Sequence, residues 1–102
     1  MRALLVGGAA ADAARLAARL APAAMVICFA RDRPAADAVT AALRAGAPGA
    51  RVSVMLGDPG LLVHKVSGPF DLIVLAADAR ERASRHRDRL LGLLRENGEL
   101  DG

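Results

Sequence analysis

Six residues of this chain have the type and placement to do chemistry: Gly7, Gly8, Asp32, Gly57, Asp58 and Asp78. Each stands directly after an apolar run or within two residues of one. A glycine there lets a ligand approach the backbone without meeting a Cβ, and a carboxylate there accepts hydrogen bonds from hydroxyl or amino groups. The same residues have structural uses. Gly7 serves any strand-to-helix turn, Asp32 and Asp78 can cap helices, and Asp58 can close an Asp-Pro turn on nearby backbone amides. Groups for proton transfer or nucleophilic attack are sparse. His64 and His86 fall in separate segments and are expected to lie apart, while Lys65 has no partner at dyad spacing. Cys28 sits inside an apolar run and reads as a small buried hydrophobe. Ser53, Ser67 and Ser84 lack the glycine-flanked turn of a serine elbow. Neither a phosphate loop with lysine nor the spaced glycines of a dinucleotide fingerprint occurs. The expected catalytic set is therefore empty.

The elements that must position these residues are short apolar runs alternating with segments of helical spacing. That pattern argues for strand-helix units on a parallel sheet covered on both faces. Ala3–Val6, Met25–Phe29, Arg51–Leu56 and Asp71–Leu75 read as strands. Ala11–Leu20 reads as a helix stopped before Pro22, and Asp32 with Pro34 starts another that Gly46 ends. A short helix follows Gly57-Asp58-Pro59-Gly60, and a long one is expected from Ala79 to Glu96, halted by Asn97-Gly98. Right-handed crossovers then give the strand order 3-2-1-4, a truncated Rossmann-like three-layer α/β sandwich. In such sheets ligands lie beyond the carboxyl ends of the strands, near the switch point between strands 1 and 4. That rim comprises Gly7–Ala11, Ala30–Asp32, Gly57–Pro59 and Ala76–Asp78.

At 102 residues the chain makes one domain, long enough for a single core without staples. Phe29 and Phe70 are its sole aromatics, so the core is aliphatic. The lone cysteine excludes an internal disulfide and suits a reducing, cytoplasmic setting. No apolar run approaches the roughly 20 residues of a membrane span. The net charge is +3, with every basic residue but Lys65 an arginine. A helix over Arg80–Arg95 would show Arg82, Arg85 and Arg89 on one exposed face, which could neutralise nucleic-acid phosphates or simply be solvated beside Glu81, Asp88 and Glu96.

The run Gly68-Pro-Phe-Asp-Leu-Ile-Val-Leu-Ala-Ala-Asp78 resembles the fourth strand of class I S-adenosylmethionine-dependent methyltransferases. The likeness is closest to the small-molecule O-methyltransferases of the caffeoyl-CoA and catechol type, whose strand ends in Asp-Ala-Asp. The resemblance extends from Ala3 to Gly98. It implies S-adenosylmethionine as cofactor, held by Gly7, Gly8, Asp32, Gly57, Asp58 and Asp78, with Gly57-Asp58 matching the pair whose acid accepts from the adenine amino group. It also marks departures. Ala9 and Ala11 replace glycines of the first turn, Ala30 replaces the acid that holds the ribose, and Ala76 replaces the first metal-binding acid. With Asp78 alone at that position, no metal site is expected.

These features define three expectations: a methyltransferase-like domain with weak or absent catalysis and a binding or assembly role, an active methyltransferase completed by self-association or a partner chain, and a nucleic-acid-associated protein using Arg80–Arg95. For the first, homodimerisation or protein docking is expected through an exposed fourth strand, because an apolar edge is seldom left uncovered. The domain is expected to lack the carboxyl-terminal strands of the family.

Overall fold

A computed structural model describes residues 1–101. Five strands form one parallel sheet in the order β3-β2-β1-β4-β5: β1 (Arg2–Val6), β2 (Met25–Ala30), β3 (Arg51–Leu56), β4 (Phe70–Leu75) and β5 (Leu94–Asp101). The first four follow the expected runs to within one residue at each end. β1 is central, with Leu4 opposite Ile27 of β2 on one side and opposite Ile73 of β4 on the other.

Alternation along the strands divides the core between the two faces of the sheet. Ala3, Leu5, Val26, Cys28, Leu72 and Val74 face α1 (Ala10–Ala17) and α2 (Arg33–Gly46), where Leu16, Val39 and Leu43 complete the packing. Leu4, Val6, Phe29, Ile73 and Leu75 face the other layer, made of α3 (Pro59–Leu62), α4 (Arg80–Ser84) and α5 (Arg87–Leu93). Both sheet faces are thus covered, as the continuous apolar character of the strands requires. No helix among the described residues is long and apolar enough to cross a membrane.

The carboxyl-terminal quarter departs from expectation in two ways. The segment read as one helix from Ala79 to Glu96 is two short helices, separated where His86 N–H bonds Ala83 O, three residues back, at 2.9 Å. The chain then becomes extended at Leu94, and Leu94–Asp101 pairs with β4 as a fifth strand. Asn97, with φ of 70°, does not end a helix. It lies within β5, where the register jumps between the Phe70–Leu94 and Leu72–Glu99 pairs. The apolar edge of β4 is therefore covered by the chain itself, which removes the basis for docking through an exposed fourth strand. Arg19, in the turn after α1, secures the new strand through Glu99 and Asp101, the latter at 3.1 Å. At the opposite end Asp71 accepts from Arg2 N–H at 2.8 Å and from Arg95 at 2.7 Å.

Candidate functional site: a cleft at the carboxyl ends of the strands

Strands β1 and β4 are neighbours whose following connections lead to opposite faces of the sheet, leaving a crevice between them. The first wall is the β1–α1 turn. Gly7 N–H donates to Phe29 O at 2.9 Å, and the backbone passes through Gly7 at φ 73° and Gly8 at φ 112° before Asp12 accepts from Ala9 N–H at 3.0 Å. Gly7 is required by close packing and by its positive φ, Gly8 chiefly by its φ. A methyl group on Gly7 would lie 2.5 Å from Ala79 Cβ, and one on Gly8 would lie 3.1 Å from Ala76 Cβ. The turn is thereby seated against the loop that follows β4, whose Ala76 N–H donates to Val6 O at 3.0 Å.

The third and fourth walls follow β3 and β2. Gly57 N–H bonds Ala30 O at 2.9 Å, so the ends of these strands stay in register into their loops. Asp58 accepts from Gly60 N–H at 2.9 Å through Oδ1 and caps α3. Its other oxygen makes no hydrogen bond among the described residues. Ala35 and Ala38 of α2 bring little bulk to their wall, and the result is an open cleft of about 310 Å³.

Five of the six expected residues, Gly7, Gly8, Gly57, Asp58 and Asp78, line this one cleft. Asp32 does not. Its carboxylate accepts from Ala35 N–H at 3.0 Å and caps α2, outside the cleft lining. Arg31 and Arg82 also line the cleft. Arg31 falls within the expected rim segment Ala30–Asp32, although it is not among the six residues singled out there, whereas Arg82 lies outside that rim. Arg82 was masked by its place in an arginine-rich segment. Arg82, Arg85 and Arg89 are exposed as expected, but part of the segment is engaged: Arg89 donates to Val63 O at 3.0 Å and Val66 O at 3.1 Å, and Arg95 pairs with Asp71.

The two histidines lie together, contrary to the separation expected from sequence. α3 and the α4–α5 junction pack on the same face of the sheet, and the imidazoles meet edge to face with centroids 5.6 Å apart. His86 borders a smaller recess beside the cleft, together with Asp58, Arg82 and Arg85. Cys28 is buried under α1 and α2, and burial pushes its thiol up to about 12, leaving it a packing residue. Among the described residues, no three His, Cys, Asp or Glu side chains gather so as to hold a metal ion.

Of the residues that the resemblance implies for S-adenosylmethionine, Gly57 and the open oxygen of Asp58 are available in this cleft, whereas Ala30 is buried and brings no acceptor, and Asp32 is engaged elsewhere. No family model, curated protein or solved structure matches this chain.

Proposed function

We propose that this chain is a methyltransferase-like module that binds an adenosyl ligand of the S-adenosylmethionine type in a binding role, with weak or no methyl transfer. The observation that carries the reading is the convergence of Gly7, Gly8, Gly57, Asp58 and Asp78 on one cleft at the β1–β4 switch point. Asp58 would receive the adenine amino group, and the Gly7-Gly8 turn would lie along the rest of the ligand. When bound, such a cofactor supplies an activated methyl group. Methyl transfer also needs an acceptor held in line, and positioning provides much of the acceleration in a two-substrate reaction. The cleft's own acid-base side chains are Asp58 and Asp78, the first of which is committed to α3, so a binding role accounts for the residues present more fully than turnover does.

Titration calorimetry with S-adenosylmethionine and S-adenosylhomocysteine tests this. Binding of either at micromolar to millimolar affinity, lost in Asp58→Ala, is the expected result. Absence of heat and of thermal stabilisation at millimolar ligand sinks the reading.

A further inference from the structure

In nucleotide-binding parallel sheets, the end of the second strand meets the ribose. An acid there accepts from the free hydroxyls, whereas an arginine nearby receives a phosphate esterified to the ribose. Three consecutive residues divide that position here. Ala30 is buried and brings no carboxylate. Asp32 is held by Ala35 N–H outside the cleft. Arg31, between them, lines the cleft, is exposed, and makes no hydrogen bond or ion pair among the described residues. Arg82 enters from α4 and is likewise unpartnered. The acids of the cleft are placed elsewhere: Asp58 caps α3, and Asp78 stands over the β1 turn, its Oδ1 3.1 Å from where a methyl on Gly7 would be.

A free ribose diol would find no carboxylate at this end of the cleft and would leave Arg31 without an anion. A ribose phosphate meets a planar guanidinium able to pair with two of its oxygens. Within the adenosyl ligands, the geometry points to an adenosine phosphorylated on its ribose, at the 2′ or 3′ oxygen, as the form this cleft prefers over the free diol, with Arg31 as the phosphate partner and Arg82 as a second cation. This assignment rests on the adenosyl-site reading given above.

The test is calorimetry on the full chain with adenosine, its 2′-, 3′- and 5′-monophosphates, and inorganic phosphate. The 2′- or 3′-phosphate should bind about tenfold or more tighter than adenosine and the 5′-phosphate, in keeping with a charge-assisted hydrogen bond. Arg31→Gln should bring that ratio close to one, while Arg44→Gln, on the far end of α2, should preserve it. Equal binding of adenosine and its ribose phosphates, or a preference that survives Arg31→Gln, overturns the assignment and leaves the adenosyl site standing. Inorganic phosphate binding as tightly as the nucleotides also overturns it. Failure of every adenine compound, S-adenosylhomocysteine included, removes both.

Discussion

Replacing Gly7 by alanine should destabilise the domain by about 2–5 kcal/mol. Two effects add. The backbone at Gly7 has φ of 73°, a left-handed conformation that costs an L-residue with a Cβ roughly 1–2 kcal/mol. The new methyl would also stand 2.5 Å from Ala79 Cβ, with Asp78 Oδ1 at 3.1 Å, and overpacking of this kind costs roughly 1–3 kcal/mol. Ala79 is buried and is the N-cap residue of α4, so it cannot yield without shifting the β4 loop. For a domain of about 100 residues each kcal/mol lowers Tm by roughly 4–8 °C, so a fall of at least about 8 °C is expected, read by thermal melting and by urea unfolding. The contact term can be isolated. Ala79→Gly removes the methyl that clashes, so the double variant should be more stable than the two single losses added together, by about 1–3 kcal/mol. A Gly7→Ala loss below about 0.5 kcal/mol, or strict additivity in the cycle, would refute the claim that glycine is demanded here by the seating of the first turn on the β4 loop.

Three further outcomes follow from the same contacts. Arg89→Gln should lower stability by about 1–3 kcal/mol in urea unfolding, because the Val63 and Val66 carbonyls lose a charged donor; Arg89→Lys should recover only part of it, since an ammonium lacks the planar fork. The Arg2 N–H and the Arg95 guanidinium hold the Asp71 carboxyl below its ordinary value of 3.8. Its contribution is therefore complete above that value and is lost as pH falls through the lower folded value. Wild type should lose more stability than Asp71→Asn on acidification below pH 3.8, and parallel acid profiles would contradict this. Cys28, with its thiol raised to about 12, should resist thiol reagents at pH 8 and react only at the rate of unfolding; labelling of the native protein at the rate of a free thiol would show otherwise.

The parts of the fold legible from sequence are those where local pattern and burial agree. β1 and β2 are apolar runs bounded by glycine, proline or a cap, and their boundaries follow from that. β5 was not legible because only Leu94 and Leu100 in it are large and apolar, and Asn97-Gly98 reads locally as a helix stop. What makes it a strand is non-local: the edge of β4 needs a partner, and Leu94–Asp101 is the segment within reach. At the cleft, five of six expected residues converge because strand ends place them there whatever their neighbours do. Asp32 followed its helix-capping role instead, since Ala35 N–H lies only three residues along the chain. Arg82 escaped notice because helix periodicity places a residue on a face without saying which loops that face meets.

The proposed adenosyl ligand would occupy the cleft between the ends of β1, β3 and β4. Amide chemical-shift mapping by NMR, on the uniformly nitrogen-15-labelled chain titrated with S-adenosylhomocysteine, tests this placement residue by residue. Saturable shifts at Gly7, Gly8, Gly57, Asp58 and Asp78, with the β3–α3 and β4–α4 loops moving together and the Ala47–Ala50 loop at the opposite end silent, are the predicted result. No saturable shifts at millimolar ligand, or shifts centred away from these loops, would contradict it.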